Sequence, residues 1–274
     1  MIRRVGIVGC GAIGSALAKA IERNYADVAR VAALCDSVPA HAKRLQLGLS
    51  GRPPITSLAG LIRGSDLVLE AASASVSAVV ARRALSAGRD VLVMSTGGLL
   101  GSVPQLARLA RRSRAQLLLP SGALGGLDAV KALSMGRLRA VRLTTRKPPR
   151  ALAGAPYVQQ RRLRLERLRR ARVLFAGSPA TVVPAFPQNT NVAATLALAC
   201  ASSGFPLSRI QVRVVADPSL RTNVHELHVR SDSGQVDVRI ESRPSRDNPK
   251  TSELAIRSAL AALEQAFGAV RVGT

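Results

Sequence analysis

Short apolar runs alternate with segments of helical apolar spacing along the first 120 residues of the chain. The apolar runs predict strands at residues 2–8, 28–35, 65–71, 90–95 and 116–119. The helical spacing predicts helices at residues 12–23, 75–87 and 103–112. Strands that alternate with helices form a parallel sheet, because parallel neighbours need a crossover between them. The pattern therefore predicts an α/β domain over residues 1–120, with helices on both faces of a parallel sheet.

The pattern changes after Pro120, where strands follow one another more closely. We predict helices at 130–138 and 191–203, and strands at 140–145, 210–215, 223–229 and 235–240. Residues 231–234 read Ser-Asp-Ser-Gly, a turn sequence that joins the last two strands as a hairpin. These elements predict a second, α+β domain over residues 121–249, with a mixed or antiparallel sheet. A last helix at 252–267 lies in a C-terminal segment, 250–274, which we expect to pack back on the first domain.

Charge is unevenly balanced, with 40 lysine and arginine residues against 16 aspartate and glutamate residues and a formal net charge of +24. Such a field attracts polyanions and anionic metabolites. Only five of the basic residues are lysines, so we interpret the excess as a bias towards arginine rather than as a binding signal. Aromatic residues make up 2% of the chain, too few for the base-stacking surfaces of single-strand nucleic-acid binders. The composition therefore disfavours a nucleic-acid partner.

We expect neither a membrane-spanning helix nor a signal peptide in this sequence. No run of about 18 uncharged apolar residues occurs, so we predict no membrane-spanning helix. Arg3 and Arg4 lead straight into the first apolar run, which is not the pattern of a signal peptide. Cys10, Cys35 and Cys200 are too few for a disulfide framework or a cysteine metal site and favour a reducing compartment. We therefore expect a cytoplasmic protein without a bound metal ion.

The most specific motif is the run Gly9-Cys10-Gly11-Ala12-Ile13-Gly14, which follows the first predicted strand and opens the first helix. In such a run Gly9 permits a tight turn, Gly11 lets the backbone approach a pyrophosphate, and Gly14 lets the helix pack close to the strand. The free amides at the helix start, around Ala12 and Ile13, then face the phosphates. Asp36 ends the second strand, 22 positions after Gly14, where an acidic residue binds the ribose hydroxyls of NAD. Together these features predict a Rossmann-type dinucleotide-binding domain, and the alternative is a glycine-rich turn in an unrelated fold.

Cofactor choice and the nicotinamide end of the site are defined less sharply. The charge of Asp36 favours NAD, because it would repel a phosphate on the ribose, whereas Arg44 would soften this preference. Ala72 and Ser73 follow the third parallel strand, and Ser95-Thr96-Gly97-Gly98 follows the fourth. Loops at the carboxyl ends of parallel strands line the cofactor crevice, so both loops are candidate contacts to the nicotinamide half. Ordinary turns of small residues are an equally good interpretation.

Three histidines are the first candidates for proton transfer, because imidazole titrates near neutral pH. His41 begins a polar helix in the cofactor domain and is a poor candidate for catalysis. His225 and His228 lie three positions apart on one predicted strand, so their side chains point to opposite faces of the sheet. Strand geometry alone does not decide between them.

Two polar segments precede predicted helices: Phe186-Pro187-Gln188-Asn189-Thr190-Asn191 and Asn248-Pro249-Lys250-Thr251-Ser252. Polar side chains at a helix start cap the helix in many proteins. They also bind anionic or amide groups of a ligand, because the free amides there attract negative charge. Both interpretations stay open at this point.

Taken in order, these and further segments resemble the L-aspartate dehydrogenase family over essentially the whole chain. The glycine run alone would be unspecific, but the later segments are specific in this order. The matching segments are the glycine run, Glu70-Ala71-Ala72-Ser73, Met94-Ser95-Thr96-Gly97-Gly98, Pro120-Ser121-Gly122-Ala123-Leu124-Gly125-Gly126-Leu127-Asp128, Arg146-Lys147-Pro148-Pro149, Phe175-Ala176-Gly177-Ser178, residues 186–194, Ala216-Asp217-Pro218, Asn223-Val224-His225-Glu226 and residues 248–252.

The resemblance implies oxidation of L-aspartate with NAD or NADP to iminosuccinate, which hydrolyses to oxaloacetate and ammonia. It implies a homodimer linked to NAD biosynthesis. It places the family's active-site histidine on His225 and a cofactor-contacting alanine on Ala123. A cofactor-contacting asparagine falls on Asn189, with Asn191 as the second choice. The candidates for holding the two substrate carboxylates are Lys147, Lys250, Thr251 and Ser252.

Two features depart from the family's pattern. Residues 175–178 lack the acidic residue that the family often carries, and residues 159–172 are unusually rich in arginine. One rival function is a reductase of the same architecture that acts on another imine or oxo acid. Another is a non-catalytic nucleotide-sensing or nucleic-acid-associated protein that uses the seven arginines of residues 161–172, although such a charge run is more typical of a solvated face.

Overall fold

The computed structural model describes residues 2–187, 191–245, 252–270 and 272–273 of the 274-residue chain. The chain divides into two compact units. The first is Met1–Pro120 with Ile256–Val272, and the second is Ser121–Ala255 with Gly273–Thr274. Each unit contains its own five-stranded sheet.

The sheet of the first unit is parallel throughout. Its strands are β1 (Arg3–Val8), β2 (Ala29–Cys35), β3 (Leu67–Glu70), β4 (Asp90–Val93) and β5 (Leu117–Leu118). They lie in the order β2-β1-β3-β4-β5. The strand order reverses between β1 and β3, and open sheets of this kind bind ligands outside the carboxyl ends of the strands at that point. The predicted Rossmann-type α/β fold is confirmed.

Helices cover both faces of this sheet. They are α1 (Ala12–Asn24), α2 (Pro39–Leu47), α3 (Leu58–Gly64), α4 (Ala74–Ser86) and α5 (Val103–Ser113). The short strand β3 shows why helices are needed on both faces, because its residues are buried on both sides of the sheet. Leu69 packs in one cluster with Leu17 of α1, whereas Val68 packs in another with Leu85 of α4. Alternate positions of a strand point to opposite faces, so one apolar run supplies both cores.

The sheet of the second unit is mixed, as predicted. Its strands are β6 (Leu138–Lys147), β7 (Arg172–Gly177), β8 (Gln211–Ala216), β9 (Asn223–Ser231) and β10 (Gln235–Ser242). They lie in the order β10-β9-β6-β8-β7, where β6 and β8 are parallel and the other pairs are antiparallel. The predicted hairpin joins β9 to β10, and the amide of Ser231 donates to the carbonyl of Gly234 at 2.9 Å.

The helices of this unit differ in part from the prediction. They are α6 (Leu127–Leu133), α7 (Pro149–Leu152), α8 (Pro156–Gln160), α9 (Pro179–Ala185) and α10 (Asn191–Ala199). The predicted helix at 130–138 is wrong in its second half, because α6 ends at Leu133 and Leu138 already belongs to β6. The chain turns at Gly136, where a β-carbon would lie 2.6 Å from a carboxylate oxygen of Asp232.

The last helix, α11 (Glu253–Phe267), begins in the second unit and continues in the first. Its residues Ala259 and Leu263 are fully buried in the cluster that contains Leu17. Tyr25 and Phe267 add an edge-to-face ring contact with centroids 5.5 Å apart. Across the described ranges, no helix combines the length and apolarity that spanning a membrane requires.

Candidate active site

The glycine loop between β1 and α1 has little room for side chains except at its middle. Gly9 has a φ of +91°, and a β-carbon there would lie 2.6 Å from the backbone nitrogen of Ala72. A β-carbon at Gly14 would overlap the carbonyl oxygen of Gly9. At Gly11, by contrast, nothing lies within 4 Å of the β-carbon position. The loop therefore leaves open the one position at which a pyrophosphate approaches the backbone, and its shape fits a dinucleotide.

Asp36 lies at the carboxyl edge of the sheet, beside this loop. One carboxylate oxygen accepts from the amide of Cys10 at 2.6 Å, and the other accepts from the amide of Val38 at 2.8 Å. The Nδ1 atom of His41 lies 3.8 Å from the second oxygen. Each carboxylate oxygen can accept a further hydrogen bond, so the residue still fits the ribose hydroxyls of a nucleotide.

The Cys10 side chain is not a chemical participant. Burial, followed by the charge of Asp36, raises the pKa of the Cys10 thiol to about 12. A thiol in that state is not a nucleophile at neutral pH. The residue contributes its backbone amide to the loop and its side chain to the core.

Glu70 ends β3 and is a site feature that our sequence reasoning missed as a functional residue. Its side chain is fully buried, and its carboxylate accepts hydrogen bonds from the amides of Ala72, Ser73 and Ser95. The first two amides belong to the loop before α4 (Ala74–Ser86), and the third belongs to the loop after β4. The signal in the sequence is an acidic residue at the end of an otherwise apolar strand.

The second unit carries a polar cluster on the β6–β9 pair. Thr145 and His225 are directly opposite in the antiparallel register, and both are buried. The threonine hydroxyl and the Nδ1 atom of His225 are hydrogen-bonded at 3.1 Å. Burial, and secondarily the charge of Lys147, lowers the pKa of His225 to about 3. The imidazole is therefore neutral at physiological pH.

Lys147 is the last residue of β6, two positions from Thr145 and so on the same face of the sheet. The side chain is only 5% exposed, and burial lowers the pKa of its ammonium group to about 8. Asn223 is also buried and lies two positions from His225 on β9. The two strands thus bring a lysine, a histidine and two neutral polar side chains onto one face of the sheet.

The structure separates the three histidines clearly. His225 belongs to the fully buried face of β9, together with Leu227 and Val229. His228 points to the opposite face, where its Nδ1 atom lies 2.6 Å from a carboxylate oxygen of Asp237. His41 is exposed beside the glycine loop. The histidine that the family resemblance selects is the buried one with a lysine beside it.

The other predicted ligand-binding residues are placed less completely. Ala123 is buried in the segment between β5 and α6, and Asn191 begins α10. The Ser252 hydroxyl accepts from the amide of Leu254 and donates to the Ser242 hydroxyl, so it caps the start of α11. The predicted residues Asn189, Lys250 and Thr251 lie outside the described residues.

Metal ligation has no support in the described part of the chain, where no three histidine, cysteine, aspartate or glutamate side chains are grouped to hold an ion. The first unit carries an open glycine loop and an acidic residue at the carboxyl edge of a parallel sheet. The second unit carries a buried neutral histidine beside a lysine. A Rossmann-type unit followed by a unit with a buried histidine and lysine is the arrangement expected of a nicotinamide-dependent oxidoreductase.

Comparison with known proteins narrows this class. Two protein-family models match the chain. The aspartate dehydrogenase C-terminal family matches residues 128–266, and the homoserine dehydrogenase NAD-binding domain family matches residues 9–120. L-aspartate dehydrogenase of Methanosarcina barkeri is 40% identical over 99% of both chains. L-aspartate dehydrogenase 3 of Bordetella bronchiseptica is 38% identical over 98% of this chain and 97% of its own. The chain therefore belongs to the aspartate dehydrogenase family.

Solved structures agree on the fold. The crystal structure of aspartate dehydrogenase from Thermotoga maritima has a TM-score of 0.73 at 23% identity and covers the whole of both chains. A homoserine dehydrogenase from Thiobacillus denitrificans has a TM-score of 0.60 at 13% identity, over 99% of this chain and 76% of its own. At these identities the likeness shows a shared architecture.

Proposed function

We propose that this protein oxidises L-aspartate to iminosuccinate with NAD or NADP, and that iminosuccinate then hydrolyses to oxaloacetate and ammonia. The observation that carries the proposal is the buried pair of His225 and Lys147 in the second unit. Relatives named L-aspartate dehydrogenase match the chain from end to end, which supports the choice of substrate. The family resemblance also links the reaction to NAD biosynthesis.

The dinucleotide is held by the loop Gly9-Cys10-Gly11-Ala12-Ile13-Gly14 and by Asp36. The open space at Gly11 and the amides at the start of α1 supply a cradle for the pyrophosphate. Ala72, Ser73, Ala123 and either Asn189 or Asn191 are the further contacts that we propose. A dinucleotide held by these residues would supply a hydride acceptor for the α-carbon of aspartate.

His225 acts as the acid–base group. The Thr145 hydroxyl is hydrogen-bonded to Nδ1 at 3.1 Å. We assign the ring proton to Nδ1, so that Nδ1–H donates to this hydroxyl and the lone pair on Nε2 takes a proton from the substrate amino group or from the water that attacks the imine. Burial, and secondarily the Lys147 charge, lowers the pKa of the His225 imidazole in the free protein. A substrate carboxylate paired with Lys147 offsets that charge, so binding raises the basicity of His225 when a base is needed.

The two carboxylates of aspartate require cations and hydrogen-bond donors. Lys147 is buried and positively charged below pH 8, which suits a charge-assisted bond to one carboxylate. Lys250 and Thr251 are proposed for the other carboxylate on the basis of the family resemblance. Ser252 already caps α11, so we assign it the support of this segment beside any contact of its own.

Assembly and location complete the proposal. We propose a homodimer, which sedimentation equilibrium tests directly because the monomer mass is 28.7 kDa. We also propose a cytoplasmic location, since the three cysteines Cys10, Cys35 and Cys200 are free thiols.

The test is the rate of reduced-cofactor formation from L-aspartate, with NAD and with NADP, and the reverse assay with oxaloacetate and ammonium. We expect activity with L-aspartate and none with alanine, glutamate or malate. Cofactor binding without activity in either direction would contradict the proposal and favour a reductase that acts on another imine or oxo acid.

A further inference from the structure

Glu70 is unused by the proposed mechanism although its position is unusual. Among the residues that the structure describes, it is the only acidic side chain that is fully buried. It lies at the carboxyl end of β3, next to the point where the strand order reverses. A charge in such a position is costly to bury, so its partners indicate why it is there.

The partners of Glu70 come from two different loops. Its Oε1 atom accepts from the amide of Ala72 at 2.9 Å and from the amide of Ser73 at 3.1 Å. Its Oε2 atom accepts from the amide of Ser95 at 3.1 Å, and the Ser95 hydroxyl also donates to the carboxylate. One carboxylate therefore ties the loop after β3 to the loop after β4.

The same two loops are packed against other backbone without intervening side chains. A β-carbon at Gly9 would lie 2.6 Å from the nitrogen of Ala72, so the glycine loop lies directly on the loop after β3. A β-carbon at Gly98 would overlap the carbonyl oxygen of Ala74, so the loop after β4 lies directly on the start of α4. Three loops at the carboxyl edge thus form one backbone assembly with Glu70 at its centre.

The protonation chemistry of Glu70 supports a role beyond packing. Burial raises the pKa of the Glu70 carboxyl and outweighs the hydrogen bonds from Ser95, Ala72 and Ser73, which lower it. The charged form therefore makes a net unfavourable contribution to the stability of the folded state. Only the carboxylate can accept at both oxygens without donating, so the amide arrangement depends on the charge.

We propose that Glu70 is a positioning residue for the cofactor, whose carboxylate fixes the loops of Ala72, Ser73 and Ser95 in the conformation that receives the nicotinamide half. The inference rests on the proposed function, in which Ala72 and Ser73 contact the cofactor. Glu70 acts through these loops, because its carboxylate oxygens are bonded to the protein itself. Loops fixed in advance bind more tightly, since no ordering is required when the ligand arrives.

The test compares Glu70→Gln with Glu22→Gln. Glutamine at position 70 keeps the Oε1 acceptor for Ala72 and Ser73 but presents an amide donor to the Ser95 N–H. Glu22 is a matched control, because its carboxylate also accepts two backbone amides, those of Ser50 and Gly51, at 3.0 Å each. It lies in the last turns of α1, which runs away from the carboxyl edge.

We expect Glu70→Gln to raise the Kd for NADH and the KM for NAD about tenfold, the effect of losing one hydrogen bond to a charged group. The KM for L-aspartate should change little, and Glu22→Gln should bind NADH like the wild type. A wild-type Kd for NADH in Glu70→Gln overturns the proposal, whether or not the thermal midpoint falls. NADH binding that weakens equally in both variants also overturns it.

A measurement on the wild type decides the matter if Glu70→Gln does not fold. Without cofactor, the amides of Ala72, Ser73 and Ser95 should be protected from hydrogen exchange, because Glu70 already holds them. Exchange as fast as in an open loop overturns the proposal. Failure of the proposed function has a different signature, namely NADH binding that depends on Glu70 in a protein that does not oxidise L-aspartate.

Discussion

The two units hold their functional groups by different means. In the first unit, the proposed nucleotide site depends on backbone geometry: Gly9 and Gly14 leave no room for side chains, Gly11 is open, and the amides at the start of α1 face this space. The carboxylates of Asp36 and Glu70 accept from backbone amides around it. In the second unit, the proposed acid–base site is made of the buried side chains of Thr145, Lys147 and His225. The difference teaches that the proposed binding site is built from backbone packed within and between loops, whereas the proposed proton chemistry depends on side chains that strand register brings together.

The largest expected effect comes from the imidazole in the second unit. His225→Ala should lower kcat by about 10²- to 10⁴-fold, the usual contribution of general acid–base catalysis, and leave the Kd for NADH unchanged. The matched control is His228→Ala, since His228 lies on the same strand but on its opposite face. Steady-state rates with L-aspartate and fluorescence titration with NADH check both statements. A wild-type kcat in His225→Ala would remove the assigned role.

The next largest effect concerns Lys147. Its charge favours substrate binding in the proposed mechanism but lowers the stability of the fold. Lys147→Met should raise the KM for L-aspartate by about 10²-fold, which corresponds to the loss of roughly 3 kcal/mol from a charge-assisted contact. At neutral pH the variant should be more stable than the wild type, by up to about 3 kcal/mol, because the buried ammonium is no longer required.

The sign of this stability difference follows from the pKa values. Burial lowers the pKa of Lys147 from 10.5 in the unfolded chain to about 8 in the folded protein. Its contribution to stability is therefore complete above pH 10.5 and is lost as the pH falls through 8. Urea unfolding at several pH values should show a higher free energy of unfolding for Lys147→Met than for the wild type below pH 8. This difference should shrink to zero as the pH rises to 10.5. An equal difference at every pH would contradict the assignment of the cost to the charge.

Substitutions at two glycines of the nucleotide loop should affect different properties, cofactor affinity at Gly11 and stability at Gly14. Gly11→Ala should fold normally, since the position is open, but should raise the Kd for NADH about tenfold by keeping the pyrophosphate from the backbone. Gly14→Ala should lower the stability by about 1–3 kcal/mol, because its methyl group overlaps the carbonyl of Gly9. Thermal unfolding and NADH titration of both variants measure the contrast. Equal losses of stability in Gly11→Ala and Gly14→Ala would contradict the open space at Gly11.

The smallest effect concerns cofactor choice. Asp36→Ser should move the ratio of kcat/KM for NADP over NAD upwards by about tenfold, which corresponds to about 1.4 kcal/mol of removed repulsion. It should also weaken both cofactors moderately, because Asp36 accepts from the amides of Cys10 and Val38. The control is Arg44→Gln, which should shift the ratio in the opposite direction. A ratio unchanged by Asp36→Ser would remove Asp36 from the ribose site.

Much of the first unit could be predicted from the sequence, because its signals are local. The run from Gly9 to Gly14 predicts a turn, an open position and a close helix contact within six residues, and the structure has all three. The apolar runs that predict β1 and β4 are buried on both faces, so they stand out from their surroundings. By contrast, α3 has only seven residues, two of them glycine, and no helical pattern indicates it.

In the second unit, local signals fail where tertiary contacts decide. Strand β7 lies at the edge of the sheet directly after the arginine-rich stretch, and only Leu174 is buried, so its pattern does not predict a strand. Helix α9 starts at Pro179 and contains Pro184. A proline inside a segment argues against a helix, so the sequence does not predict this one.

The pairing of Thr145 with His225 is equally hidden from local reasoning. Thr145 and His225 are 80 positions apart, and only the register of β6 against β9 brings them together. Strand alternation alone left His225 and His228 equivalent, and the family resemblance was needed to choose. The structure adds the physical reason for that choice, since only His225 is buried beside Lys147.

The most direct test of the central claim follows the hydrogen on the α-carbon of the substrate. L-aspartate deuterated at this carbon is incubated with the protein and NAD, and the NADH that forms is analysed by mass spectrometry. The proposed reaction predicts NADH that carries one deuterium atom from the substrate, with no exchange against solvent. NADH without deuterium would contradict hydride transfer from aspartate, and with it the function proposed for this protein.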